Sequence, residues 1–404
     1  MKKLKTLFSP RKLIIWLFLI ILAITVPEIT RPAMSQTEAI VTAFCIDKSD
    51  NNIKATAVTL APSSERTAKY NHFSGTGKTV SEAVENISLS LGKSMGFAQC
   101  EIMAFGDNLA TDGIISSLDF MSRTRKVGRN AMLINFNGDI EDFAQAIINL
   151  NSEKSLDLED VLNFDKRYIL SQDSNIHSFY KGYFSNISLG IMPKVKLINT
   201  KQENAIDVSE KNATTKTENQ ESNQKYLLND GTISIFKDGK KSMEMQPELV
   251  KKLNIFLNTS QKGTIKVENV TDDIYNNSNI VLNISKKKVK LQPKFVNGHP
   301  VYDIEISLTG LVDEVDEENP NKKFLRRNKD FITPALVEKT IETVKKDATE
   351  IIDFCVSHNV DLIQVYKYFY KLKHSEFMKY YELTQEKYLN GITYNISVKV
   401  SSSY

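Results

Sequence analysis

The sequence predicts an α+β fold of three domains, each a mixed β-sheet with packed helices. Short alternating or continuous apolar runs, which are typical of strands, are interleaved with stretches of helical period. Two polar stretches, 201–224 and 313–330, contain few large apolar residues and divide the chain. A length of 404 residues suits roughly two to four domains, and 41% hydrophobic residues are enough to build their cores.

The first 35 residues predict export. Five basic residues precede an unbroken apolar run, Leu13–Val26, which Pro27 ends. As a helix this run would span about 21 Å, less than the roughly 30 Å hydrocarbon core of a bilayer, but it suits the apolar part of a signal peptide. Residues 1–35 are therefore either a signal peptide, cleaved near Ala33–Ser35, or an uncleaved membrane anchor. In both cases the rest of the chain is exported.

The first predicted domain comprises residues 36–200. Ile40–Ile46 and Ile53–Leu60 have the apolar pattern of strands, and Gly75–Gly77 is predicted to be a turn. The apolar residues of Thr79–Leu91 recur at helical spacing, and the first residue of this helix is a suitable N-cap. The other predicted elements are strands at Lys69–Phe73, Phe97–Phe105 and Ala131–Phe136, and helices at Gly113–Met121 and after Gly138.

A polar linker at 201–224 precedes a middle β-rich domain predicted at 225–312. The C-terminal domain is predicted at 313–404 and can share strands from 280–312. Its main element is a long amphipathic helix that begins at Thr333-Pro334, where Thr is a good N-cap and Pro suits the first helical position. The other predicted elements are strands at Thr232–Phe236, Gly263–Val267, Ile280–Ile284, Val301–Leu308 and Ile392–Val400, a turn at Lys237–Gly239 and a helix at Glu248–Leu257.

No motif predicts catalysis or a cofactor. Ser74–Thr79 looks like a phosphate-binding loop, but His72 stands where that motif requires its first glycine. The five histidines have no metal-ligand spacing, and the acidic run Asp313–Glu318 lacks the glycine of a calcium loop and predicts a hairpin tip. We therefore predict no enzyme activity and no catalytic, cofactor-binding, metal or lipid-attachment residues. The sequence does not identify ligand-binding residues.

Two further features argue against specialised chemistry. Cys45, Cys100 and Cys355 are predicted to be buried small side chains, although a Cys45–Cys100 disulfide remains open. The segment Tyr366–Lys373 interleaves aromatic residues with lysines, as nucleic-acid platforms do, but the helical spacing of its apolar residues predicts a core face. A net charge of +3 is also too small to predict nucleic-acid binding.

Several short segments occur in an order that is found in one protein family. These segments are Ile40–Lys48, Gly77–Ala83, Ser117–Arg123, Gly231–Lys237 and Pro300–Ile306, followed by the long helix after Pro334. Together they make the chain resemble the Ger(x)C family, the C subunits of spore germinant receptors. Two features differ from the family pattern. Ala23–Glu28 lacks the cysteine at which family members carry a lipid, and the C-terminal segment lacks the tryptophans often found there.

The resemblance implies three α+β domains, no catalysis, and assembly with a polytopic B subunit and an A subunit. We therefore expect a non-catalytic subunit of a nutrient germinant receptor, associated without lipid with the extracytoplasmic face of the spore inner membrane. The alternative is an exported solute-binding or cell-envelope adhesion protein, and a solute-binding protein would need a ligand cleft between its domains. A secreted hydrolase is the third possibility.

Overall fold

The computed structural model describes residues 38–61, 69–123, 127–154, 174–199, 225–257, 263–316 and 332–402. Two β-sheets with helices on their faces confirm the predicted α+β class. The predicted signal peptide or anchor and the 201–224 linker lie outside these residues, as does 317–331. Within the part that is described, no helix is both long and apolar enough to span a membrane.

The first sheet has parallel strands at its centre. Its strands are β1 (Glu38–Ser49), β2 (Asn52–Ala61), β3 (Lys69–Gly77), β4 (Ser94–Gly96), β5 (Ile102–Gly106), β6 (Met132–Asn137), β7 (Leu189–Asn199), β8 (Lys225–Leu228), β9 (Ile233–Lys237) and β10 (Lys240–Met245). The order is β10-β9-β7-β6-β5-β1-β2-β3, with β4 beside β1 and β8 beside β7. β1, β5, β6 and β7 run parallel. Because both faces of these strands are covered, β5 is buried along its whole length.

Helices cover the two faces of the first sheet. They are α1 (Val80–Leu91), α2 (Asp107–Asp112), α3 (Ile115–Arg123), α4 (Ile140–Lys154) and α5 (Ile176–Tyr183). Side chains of α1, α2, α3 and α5 share one core with β1 residues such as Phe44. Those of α4 share a second core with Cys45, on the opposite face. Successive residues of β1 therefore enter different cores, as the pleat of a strand requires.

The second sheet is built around a long hairpin. It contains β11 (Gly263–Val270), β12 (Ser278–Val296), β13 (His299–Asp316) and β14 (Thr393–Ser402), in that order. Asn297 and Gly298 connect β12 to β13 with positive φ angles of 50° and 81°, which suit a tight hairpin turn. The helices of this part are α6 (Pro247–Leu253), α7 (Pro334–His358), α8 (Val365–Leu372) and α9 (His374–Thr384), with a 3-10 helix at Gln385–Gly391.

α7 confirms the predicted long helix. The Thr333 hydroxyl accepts a hydrogen bond from the Leu336 N–H at 3.1 Å, and Pro334 is the first helical residue. The helix ends at Asn359, whose φ of 54° lies in the left-handed region that closes helices. The apolar stripe of α7, which includes Val344 and Ile351, is buried in the core of the second sheet.

The β9–β10 hairpin joins the two sheets. β9 pairs with β7 in the first sheet, while the side chains of Ile233, Ile235 and Met245 belong to the core that underlies the second sheet. Asp238 and Gly239 form the predicted turn of this hairpin, with φ angles of 52° and 76°. The hairpin is therefore hydrogen-bonded into the first sheet, while its side chains pack into the core of the second sheet.

Some local predictions were wrong in type or in extent. Gly75–Gly77 is not a turn but the end of β3, because these residues continue the antiparallel pairing with β2. Phe97–Cys100 forms a turn, so that strand begins only at Ile102. The helix predicted at Glu248–Leu257 ends at Leu253. Asp313–Asp316 extends β13, where it pairs with the start of β12, instead of forming a hairpin tip. The three-domain division is untested by these contacts and stays a prediction.

Candidate functional site

The glycines of the phosphate-loop-like segment serve packing. A Cβ on Gly75 would lie 2.5 Å from the Ala83 carbonyl oxygen, so the glycine allows α1 to lie directly on β3. The start of α1 is already satisfied by its own side chains. Thr79 Oγ1 accepts from the Glu82 N–H at 3.2 Å, and Glu82 Oε2 accepts from the Lys78 N–H at 2.7 Å. This reciprocal capping occupies two of the backbone amides near the start of α1, where a phosphate would bind.

The cysteines and histidines do not form a reactive group. All three cysteines are free and buried, so the Cys45–Cys100 disulfide is not formed. Burial raises the pKa of the Cys100 and Cys355 thiols to about 12, which keeps them protonated at neutral pH. The histidines lie on separate elements, and within the described ranges no group of three or more His, Cys, Asp or Glu side chains could hold a metal ion.

A polar cleft of about 700 Å³ lies beyond the carboxyl ends of β1, β5 and β6. Open sheets with parallel strands bind ligands at this kind of edge, where helices leave toward opposite faces. Here α2 follows β5 on one face and α4 follows β6 on the other. The charged side chains that line the cleft are Asp47, Lys48, Asp50, Lys54, Asp112 and Asp139.

Both lysines of the cleft are paired with carboxylates in or beside it. Lys48 binds Asp112, and Lys54 Nζ lies 2.9 Å from Glu141 at the start of α4. Asp139 Oδ1 accepts from the Glu141 N–H at 2.8 Å and so caps that helix. The lining offers carboxylates, ammonium groups, hydroxyls and an amide, and it contains no histidine or cysteine. The arrangement suits holding a small polar molecule and lacks a nucleophile paired with a base.

Asp47 connects the cleft to the start of α2. Its Oδ1 accepts from the Leu109 N–H at 3.0 Å and the Lys48 N–H at 2.8 Å. The carboxylate lies so close to Gly106 that a Cβ there would overlap it. Desolvation by burial raises the pKa of Asp47, and the hydrogen bonds from backbone amides oppose this rise. The side chain therefore has a defined structural role, which is to hold the end of β1 against α2.

A ring of four alternating charges includes Asp107, the first residue of α2. Lys194 on β7 contacts Asp107 at 3.1 Å and also binds Glu244, while Lys241 contacts Glu244 at 3.1 Å and binds Asp107. Only 6% of the Lys194 side chain is exposed. Burial disfavours ionisation of Asp107 and Glu244, but the hydrogen bonds from the two lysines outweigh it and lower the pKa of both carboxyls.

Another cluster of polar side chains joins the segment before β7 to α8. The Asp361 carboxylate is buried and accepts from the Val365 and Tyr366 N–H groups at 2.8 and 2.7 Å, and from the Tyr388 hydroxyl at 2.9 Å. Desolvation raises the pKa of Asp361 despite these donors. Asn186 donates to the Tyr366 hydroxyl. The cavity at this junction has a volume of only about 60 Å³, so it suits water better than a ligand.

The sequence analysis assigned no binding role to any residue of the cleft or the ring. Asp107 and Asp139 each lie just beyond the end of a buried strand, and polar residues at that position are a usable signal. Lys194 is another, because it lies between the fully buried Met192 and Val195 in an apolar strand. Only the strand order shows that these residues meet, since Asp107 and Glu244, which both bind Lys194, are far apart in sequence.

Two protein-family models match this chain, one after the other. Residues 36–197 match the family model described as the spore germination protein N-terminal domain, and residues 231–403 match the spore germination B3/GerAC-like C-terminal model. A search of curated proteins by sequence found no match.

A solved structure has the same fold. The crystal structure of the GerBC protein aligns with 89% of this chain and 97% of its own, at a TM-score of 0.52 and 16% sequence identity. At this identity the likeness shows the fold alone. The two family models together cover most of the chain, in the order that the fold requires. The chain therefore belongs to the Ger(x)C family of spore-germination proteins, the germinant-receptor C subunits.

Proposed function

We propose that this protein is a non-catalytic subunit of a nutrient germinant receptor, assembled with an A and a B subunit at the outer face of the spore inner membrane. The ordered match of both family models carries the proposal. The basic and apolar N-terminal segment supports the location, since such a segment directs the following chain across a membrane. The cleft supports a role in binding rather than chemistry, because its lining lacks a nucleophile paired with a base.

The test is affinity purification from detergent-solubilised spore inner membranes, with a tag after Tyr404. The expected co-purifying proteins are one polytopic membrane protein and one A subunit. Spores that lack this chain should lose the response to one class of nutrient and still recover when lysozyme is added after coat removal. Purification of the chain alone, together with an unchanged nutrient response, would contradict the proposal.

Attachment without lipid is a further part of the proposal. Cys45 is fully buried in β1, which argues against it as an acylation site. Leu13–Val26, kept uncleaved, would replace the lipid. Mass spectrometry of the mature N-terminus should find residues 1–35 retained, and an alkyne fatty acid should not label the chain. A free N-terminus at Gln36 would refute the anchor, and labelling that disappears in Cys45→Ser would refute the absence of lipid.

Solute binding is the second candidate function, and the cleft favours it. Its volume suits a small polar molecule, and four carboxylates against two ammonium groups favour a ligand with a cationic group. The cleft lies at the edge of one sheet, whereas a solute-binding protein of the expected kind closes between domains. Thermal-shift measurements with amino acids, sugars and amines test this function. A shift that is lost in Asp50→Asn would support it, and no shift with any compound would exclude it for that panel.

A further inference from the structure

The lysine-rich and aromatic segment that the sequence analysis singled out has two distinct faces in the structure. Tyr366 and Phe369 are buried, and their rings pack within the C-terminal core. Tyr370 and Leu372 face outward, with 45% and 55% of their surface exposed. The buried rings cannot stack on bases, so the segment does not form the aromatic platform that single-stranded nucleic acid requires.

The turn between β12 and β13 lies next to α8. The Phe295 ring near the end of β12 contacts the Phe369 ring of α8 with a centroid distance of 5.6 Å. The next residue along, Val296, leaves 47% of its surface exposed. We name the two neighbouring segments, 295–299 and 367–375, the basic end. Three partly exposed large apolar side chains therefore lie on two elements that are in contact.

The charge of the basic end has one sign. Neither segment contains Asp or Glu, whereas α8 and the residue after it carry Lys367, Lys371 and Lys373. Lys367 Nζ donates to the Gln364 side-chain oxygen, and among the described residues no carboxylate forms an ion pair with Lys371 or Lys373. The nearest acidic residue along the chain is Glu376, on the first turn of α9.

We propose that the basic end docks onto the surface of an anionic bilayer, with Leu372 and Tyr370 entering the interface and Lys371 and Lys373 contacting lipid phosphates. The inference rests on the proposed location at a membrane and names the surface that faces it. Lysines beside exposed leucine and tyrosine complement an interface that is anionic outside and apolar beneath. Tyrosine is suited to this boundary because its ring is apolar and its hydroxyl can stay hydrated. An acidic protein partner would complement the lysines but would leave this combination of apolar side chains without a reason.

Tryptophan fluorescence can test this proposal, because Trp16 is the single tryptophan of the chain and can be replaced. The full chain, with Trp16→Phe and Leu372→Trp, is reconstituted with vesicles of phosphatidylcholine and brominated phosphatidylglycerol. Bromine quenches tryptophan that enters the bilayer, so strong quenching that falls with added salt is expected. The matched control carries Leu89→Trp, which replaces a 73% exposed leucine on α1 and should stay unquenched.

Charge reversal then separates docking from simple proximity. Each surface lysine contributes about fivefold to partitioning onto an anionic membrane, so Lys371→Glu with Lys373→Glu should lower the docked-to-free ratio at least about 25-fold. The control pair is Lys286→Glu with Lys288→Glu, on exposed residues of β12, which should leave the ratio unchanged. If the charge-reversed variant unfolds at a lower urea concentration than the parent, the variant Lys371→Gln with Lys373→Gln is used instead.

Equal quenching at Leu372→Trp and Leu89→Trp, or no change on charge reversal, would overturn the inference. Equally strong quenching by uncharged vesicles, in which the bromine is carried by phosphatidylcholine and phosphatidylglycerol is left out, would overturn it too. So would preferential binding of an acidic peptide or a single-stranded oligonucleotide to the basic end. The result is separable from the receptor proposal. Co-purification with A and B subunits but no quenching rejects only this docking surface, and quenching without co-purification rejects only the receptor assembly.

Discussion

At the scale of single residues, the identity or the pKa of two residues follows from their close contacts. Gly106 is one, because the Asp47 carboxylate occupies the space that a side chain would need. Lys287 is another. It lies on β12, and its ammonium group is largely withdrawn from water and donates to the Asn254 carbonyl oxygen at the end of α6. Both positions lead to predictions.

Gly106→Ala should destabilise the protein by about 2–4 kcal/mol. The new methyl group displaces the Asp47 carboxylate, which then loses its hydrogen bond from the Leu109 N–H. Urea denaturation followed by circular dichroism measures the change. Gly263→Ala is the matched control, since a Cβ there meets no atom within 4 Å and the change should be neutral or slightly stabilising. Equal stability of the two variants would contradict the assigned contact.

Lys287 should make stability rise with pH. Burial lowers its pKa from 10.5 to about 8. Between these values the unfolded chain binds more protons than the folded one, so the free energy of unfolding increases as the pH rises through this window. From pH 7 to pH 9.5 this contribution amounts to about 2 kcal/mol.

The measurement compares urea midpoints of the parent and of Lys287→Met at both pH values. The pH-dependent gain should be smaller in Lys287→Met by about 2 kcal/mol. Lys288→Met, which removes the exposed neighbouring lysine, should keep the gain of the parent. The prediction fails if Lys287→Met and Lys288→Met have the same pH dependence.

At the scale of elements, the charged ring links β10, the edge strand of the first sheet, to α2 and to β7. The ring brings together α2, β7 and β10 through four side chains of alternating charge. Buried ion pairs are costly to break because the remaining partner keeps its charge in a desolvated place. The ring is therefore a sensitive point in the junction between the two sheets.

Lys194→Met should cost about 3 kcal/mol of unfolding free energy, because Asp107 and Glu244 lose a partner of which only 6% is exposed. The control is Lys266→Met, since the Lys266–Glu268 pair is more than 60% exposed at both side chains and should contribute less than about 1 kcal/mol. Urea denaturation near neutral pH measures both changes. Similar effects of the two substitutions would refute the role of the ring.

The same variant should alter the acid response. In the fold the pKa of Asp107 and of Glu244 is lowered from 3.8 and 4.5, so their contribution to stability is complete above those values and is lost as the pH falls below them. Lys194→Met weakens that lowering, so the loss of stability on acidification should be shallower than in the parent. A titration of urea midpoints from neutral to acidic pH gives the slope, and an unchanged slope would contradict the assignment.

At the scale of the whole molecule, the two family-model regions do not fold as separate sheets. The region that starts at residue 231 contributes β9 and β10 to the sheet of the first region. The two regions are also joined by shared core packing and by the hydrogen bond from the Asn186 side chain to the Tyr366 hydroxyl. The predicted domain boundaries would then mark sites that proteases cut first, and the parts between them would not fold independently.

Cleavage within 201–224 should therefore leave fragments that stay together. A specific protease site inserted there is cut, and size-exclusion chromatography should show one species with the volume of the uncut protein, while a denaturing gel shows two fragments. The fragments should separate only in urea, because β7 and β9 remain hydrogen-bonded and packed. Fragments that separate without denaturant would support independent domains. A site within 317–331 tests the second predicted boundary in the same way.

Local pattern was sufficient for the helices and strands whose own residues carry the information. Thr333 with Pro334 marked the start of α7, and the alternation of Val301–Leu308 marked β13, because caps and periodicity are properties of neighbouring residues. The ordered motifs and the N-terminal segment were likewise readable from the chain, and they led to the family.

Tertiary structure decided the rest. The ring, the cleft and the basic end each combine residues from segments that are distant in sequence, and only strand order and helix packing bring them together. Gly75–Gly77 shows the same limit at small scale. Its glycines indicated a turn, yet they extend β3 because they pair with β2, and α1 lies so close that only glycine fits. Neither the pairing partner nor the neighbouring helix is encoded within the segment itself.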